Sequence, residues 1–126
     1  MYRNQLQDIY NPGTDLTAVA DEEITGRRFT RYAGAMHGSN IVVATATAGS
    51  ATSGVSKFDA AANDLVGIAR GASRIVTIDT ETALQPGDAV EVGNNGKATS
   101  HTDGIIVGYA VDIAEANDIA KISLIS

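Results

Sequence analysis

Gly54-Val55, Ala60, Ala62-Asn63-Asp64-Leu65 and Ile68 return 54 positions later as Gly108-Tyr109, Ala114, Ala116-Asn117-Asp118-Ile119 and Ile122. Each copy reads as an apolar strand, a connector of small residues closed by Asn-Asp, and a second apolar strand. Two such units in a chain of 126 residues leave few ways to fold. They predict an all-β protein, a small β-barrel or sandwich built from two pseudo-repeated strand–turn–strand units. Nothing that performs chemistry is repeated with them, which points to a binding or structural role.

The rest of the chain agrees with strands. Ala, Val, Ile, Gly and Thr dominate, Trp is absent, and β-branched side chains suit a pleated, half-buried surface. Apolar runs recur around 28–32, 41–48, 54–58, 65–70, 73–79, 89–92, 97–99, 105–111 and 118–125, with turn residues between them. Asn95-Gly96 is a strong hairpin signal. Ile105 to Val111 is apolar on both faces, as a central strand would be. Residues 1–25 differ: polar, with apolar residues at no steady period and an Asn11-Pro12-Gly13 turn. They are expected to form an extended N-terminal arm, laid over the body or onto a neighbour, the alternative being a frayed tail, with residues 26–126 as a single β-barrel domain.

Charge and cysteine content remove several functions. A net charge of −6 opposes nucleic-acid binding, which needs clustered Lys and Arg, and opposes docking on an anionic membrane. The absence of Cys excludes disulfides, thiol catalysis and thiolate metal sites, and fits synthesis in a reducing cytoplasm. No signal-peptide pattern opens the sequence, and no apolar run approaches the ~20 residues of a membrane span.

Candidate chemistry is sparse. His37 and His101 both lie in Gly/Ser/Thr-rich turns and read as solvated loop residues. Asp21-Glu22-Glu23 lacks the alternating ligand spacing of a calcium loop and reads as a solvated acidic face. Asp79-Thr80-Glu81 reads as the start of a turn rather than an acid–base pair. No serine sits in a Gly-x-Ser-x-Gly elbow and no Gly-rich loop opens a helix. Arg27, Arg28 and Arg31 form the one basic cluster. Strand alternation puts Arg27 and Arg31 on one face with Phe29 and Arg28 on the other with Tyr32, either paired weakly to Asp21–Glu23 or offered to a partner. Asn63-Asp64 and Asn117-Asp118 are expected to close matching turns.

The order and spacing of several segments resemble the small capsid decoration (head cement) proteins of tailed bacteriophages. These segments are Asn11-Pro12-Gly13-Thr14-Asp15-Leu16-Thr17-Ala18, Gly26-Arg27-Arg28-Phe29 and Ile41-Val42-Val43-Ala44-Thr45-Ala46. The Asp59-Ala60-Ala61-Ala62-Asn63-Asp64-Leu65-Val66 stretch, the Pro86-Gly87-Asp88-Ala89-Val90-Glu91-Val92-Gly93 hairpin and the Gly104-Ile105-Ile106-Val107-Gly108-Tyr109-Ala110-Val111 stretch complete the match. The resemblance implies a β-rich virion protein without catalytic residues, cofactor or metal. It would bind the outer surface of the expanded head as a homotrimer and clamp neighbouring major capsid subunits. Its partners would be the major capsid protein and itself, with no nucleic acid and no membrane. Tyr2, Arg3, Leu6, Ile9, Tyr10 and Leu16 of the arm, with Arg27, Arg28 and Arg31, are then the candidate capsid or subunit interface. The alternatives are another phage structural barrel, of the tail or of head completion, or a small cellular ligand-binding or accessory barrel.

Overall fold

The computed structural model describes residues 5–10 and 13–126. Among them are eleven strands, no α-helix and one 3-10 turn at Asn94–Gly96. Strands β2 (Leu16–Ala20), β3 (Phe29–Tyr32), β4 (Ile41–Thr45), β5 (Gly54–Ser56) and β6 (Leu65–Ala69) close a barrel in the order β2-β4-β3-β5-β6. β2 and β4 run parallel and the other pairs antiparallel. The remaining strands are β1 (Asp8–Tyr10), β7 (Ile75–Asp79), β8 (Ala89–Val92), β9 (Ala98–Ser100), β10 (Gly108–Ala110) and β11 (Ile119–Leu124). They form a sheet ordered β1-β7-β11-β10-β8-β9, whose two sides meet where Thr80 bridges Ala98 in parallel.

That bridge makes the sheet a second barrel with the plan of the first. Ala20 meets Val43 in the first barrel as Thr80 meets Ala98 in the second. Val55↔Ala69 and Ser56↔Ile68 correspond to Tyr109↔Ser123 and Ala110↔Ile122. Phe29↔Val55 and Thr30↔Gly54 correspond to Ala89↔Tyr109 and Val90↔Gly108. Val19↔Leu65 corresponds to Asp79↔Ile119, and the isolated bridge Ile24↔Ala60 to Leu84↔Ala114. The duplication therefore covers five strands, not the two visible in the sequence, and each strand–turn–strand unit sits in its own barrel.

Side-chain size follows from the narrow lumen of a five-stranded barrel. Ala18, Ala20, Val43, Val66 and Ile68 fill the first, with Ile24 and Ala60 at one end. Thr30, Ser53 and Ser56 are also buried there, and each is bonded: Thr30 Oγ1 to Ser53 Oγ at 2.8 Å, and Ser56 Oγ to the Thr25 carbonyl at 2.7 Å. Their counterparts in the second barrel are Val90, Val107 and Ala110, so that core needs no such bonds. The two barrels share one apolar cluster, in which Phe29, Val55 and Ala69 on the outside of the first meet the interior of the second around Val76, Ile78 and Val92.

Both repeated turns form where expected, through Asn63 at φ 70° and Asn117 at φ 62°, a left-handed conformation Asn tolerates, and in the second the Asp118 Oδ1 accepts from the Ile119 amide at 2.8 Å. The expected hairpin also forms, with Asn95 and Gly96 at φ 56° and 73°. One expectation fails and another holds in part. Leu16–Ala20, assigned to the arm, is a barrel strand whose Ala18 and Ala20 are fully buried. The 105–111 run does supply a central strand, β10 between β8 and β11, but only Gly108–Ala110 of it is strand, and Ile105 and Tyr109 are exposed because the outer face has nothing packed on it within the described residues.

Candidate functional site

The N-terminal segment is held by a buried cation. Arg74 lies just before β7 with its side chain fully excluded from solvent. Its Nε meets Asp8 Oδ1 at 2.7 Å and its Nη2 meets Asp8 Oδ2 at 2.9 Å, while Nη1 reaches Asp15 Oδ1 at 2.8 Å. A guanidinium removed from water requires such pairing, and its fork fits a carboxylate at two points. Lys57 Nζ bonds the other oxygen of Asp15. Burial opposes ionisation of Asp15, and its bonds to Lys57 and Arg74 outweigh that, leaving the carboxyl below its ordinary value. For Arg74 the bond to Asp8 comes first and raises the guanidinium above its ordinary value against the opposing effect of burial.

The same segment ties the barrels together. The amides of Gln5 and Leu6 both donate to the Lys57 carbonyl of the first barrel. Gln7 exchanges backbone and hydroxyl bonds with Thr77 of the second, and β1 pairs with β7. Leu6 is buried in the shared cluster, and Leu16 packs half-buried against the first barrel's core. Ile9 is exposed, and Tyr10 ends β1 opposite Ile75. Tyr2 and Arg3 lie outside the described residues.

The basic cluster is not a free patch. Arg27 adopts φ 60°, which breaks strand alternation immediately before β3. Arg27 and Arg28 consequently converge instead of diverging: the Nε of each meets a different oxygen of Asp79 at 3.0 Å. Asp79 takes the place assigned to Asp21, Glu22 and Glu23, which are solvent-exposed. This three-residue seam, with Arg28 also donating to the Asn95 carbonyl at 3.2 Å, locks barrel to barrel. Arg31 stands apart, half-buried, with its Nε lacking a hydrogen-bond partner.

Glu91 on β8 is a further carboxylate with a defined task. It accepts from the Thr102 amide at 2.6 Å and the Gly104 amide at 3.0 Å, pinning the loop between β9 and β10. The Thr102 amide is the main reason its carboxyl lies below its ordinary value. His101 reaches the Gly104 carbonyl with Nε2 at 2.9 Å, and His37 lies in the exposed β3–β4 connection. Among the described residues no three His, Cys, Asp or Glu side chains gather as a metal site would require.

What the sequence did not single out is the outer face of the second barrel. Tyr109 alternates with buried Gly108 and Ala110, and Ser123 lies directly opposite it on β11. Alternation adds Val111, Ile119, Lys121 and Ile125 to that face, all exposed. The contrast between repeats was its only signal in the sequence: Val55 and Ala69 in one, Tyr109 and Ser123 in the other.

No protein-family model and no curated protein sequence matches the chain. Among solved structures it is similar to the N base of head fiber gp8.5 in bacteriophage phi29, with a TM-score of 0.74 and 20% identity over 88% of this chain and 92% of that one. At that identity the likeness establishes a shared fold.

Proposed function

We propose that this chain is a structural, non-enzymatic component of a phage head: a decoration protein that binds the outside of the expanded capsid as a trimer and clamps neighbouring major capsid subunits. The fold shared with a phage head-fiber base carries the reading. The resemblance of the sequence to decoration proteins supports it independently. A clamp under internal pressure has to be rigid, and two barrels sharing one core with a buried ion cluster at their junction meet that requirement. A trimer lets three modest attachments act together.

The capsid contact in this reading is the outer margin of the N-terminal segment: Ile9 and Tyr10 on β1, whose far edge carries no strand among the described residues, with Tyr2 and Arg3 preceding it. Leu6 and Leu16 act internally in the packing beneath that margin, and Arg27 and Arg28 in the seam between the barrels. Purified protein mixed with expanded, undecorated heads should bind saturably and raise the temperature at which they burst. Absence of binding at every stage of head maturation removes the proposal; binding to tails or connectors instead selects another phage structural role.

A further inference from the structure

Because the barrels are copies, each surface of one has a counterpart on the other. The outer face of β3, β5 and β6 in the first barrel presents Phe29, Val55 and Ala69, all fully buried against the second. The counterpart on β8, β10 and β11 presents Ala89, Tyr109 and Ser123, with Tyr109 45% exposed and Val111, Ile119 and Ile125 beside it. The duplication thus leaves one docking face covered and its twin open.

The receiving surface is duplicated in part: its turn and its Glu91 stretch have counterparts, whereas Asp79 of the seam corresponds to Val19. The first barrel sits on the β8–β9 turn, where a methyl at Gly96 would come 2.6 Å from the Phe29 carbonyl, and on the stretch around Glu91, where Gly49 lies against Gly104. In the first barrel the β8–β9 turn corresponds to the β3–β4 hairpin, whose Met36 is 57% exposed, and Glu91 corresponds to Arg31. At the spacing of 54 that relates β5 to β10, Gly49 in turn corresponds to Asp103, which is exposed. Repeating the internal contact between two chains therefore brings Asp103 to Arg31, a pairing of opposite charges.

We infer that the open face of the second barrel is occupied by a second copy of this chain, docked head to tail through its first barrel, so that the packing inside one molecule continues between molecules. The inference specifies the surface of the self-association in the function proposed above, and on that self-association it rests. A head-to-tail contact uses two different surfaces, and it closes into a ring when the rotation allows.

The test uses the full chain and two exposed sites. Wild-type protein should sediment as an oligomer, while Tyr109→Glu and Met36→Glu, each retaining the wild-type melt by circular dichroism, should sediment as monomers. An equimolar mixture of the two variants should yield a dimer, because each supplies the surface the other lacks. Asp103→Lys should weaken assembly about tenfold or more through like charge at Arg31. Unchanged assembly of Tyr109→Glu, or a mixture that stays monomeric, overturns the inference while leaving trimeric capsid binding intact. Monomeric wild-type protein that still binds heads overturns both the inference and the trimer but not the capsid role.

Discussion

Arg74 and Asp8 are joined at two points, 2.7 and 2.9 Å, by a guanidinium that water does not reach. This pair fastens the first strand of the chain to the stretch that leads into its seventh. Replacing Asp8 with Asn leaves the cation with Asp15 alone. The expected loss is about 3 kcal/mol, the lower end for breaking a buried pair because one partner remains. Urea unfolding checks it: an unchanged midpoint means that the pair is not needed to hold the N-terminal segment.

Acid should weaken the fold. Asp15, Glu91 and Asp112 all have carboxyls below their ordinary values, Asp15 through Lys57 and Arg74 acting against burial, Glu91 chiefly through the Thr102 amide, and Asp112 chiefly through the Ile113 amide. A depressed folded pKa contributes stability that is complete above the unfolded value, about 4, and disappears as pH falls through the folded one. Melting temperature should be level near neutrality and drop below about pH 4. Glu91→Gln should make that drop shallower; an acid limb of identical slope in the variant removes Glu91 from the account.

The repeated glycines are sterically equivalent. A methyl on Gly54 would lie 2.5 Å from Ile68 Cγ2 and 2.7 Å from the Ala69 carbonyl. On Gly108 it would lie 2.6 Å from Ile122 Cγ2 and 2.7 Å from the Ser123 carbonyl. Gly54→Ala and Gly108→Ala should each cost about 2–3 kcal/mol, as overpacking does. Gly54 should suffer more, since its φ of 140° is costly for any side chain. Equal or smaller loss at Gly54 in chemical denaturation contradicts that ranking.

Phe29 lies where the two barrels meet. Phe29→Ala should cost about 3–5 kcal/mol. Because its cluster belongs to both barrels, calorimetry of the wild type should give a single transition, with equal calorimetric and van't Hoff enthalpies. Two resolved transitions would show that the barrels unfold independently.

Much of this architecture could be read from residues alone. The strands from Phe29 onward, the Asn turns and the Asn95-Gly96 hairpin carry strong local signals. The duplication was only half legible, since β5 and β6 recur at a spacing of 54 whereas β2 and β3 recur at 60, the intervening hairpins differing in length. Divergence hid it further: Phe29 and Val55 face a partner barrel, whereas Ala89 and Tyr109 do not. β2 was missed because a narrow lumen wants Ala18 and Ala20, which look like weak strand formers. The ion cluster was beyond reach, because Asp8 and Arg74 are 66 positions apart and nothing local links them.

The order of strands along the chain also sets a schedule for synthesis. All five staves of the first barrel lie between Leu16 and Ala69, so that half is complete before the ribosome has made the other. β1, the earliest strand to emerge, has its mate at Ile75–Asp79 and must wait, unpaired, until that stretch appears. A nascent chain that has cleared the ribosome as far as residue 70 would thus hold every stave of the first barrel, with Gln5 and Leu6 bonded to the Lys57 carbonyl, while Asp8–Tyr10 and the Phe29 face still await the second barrel.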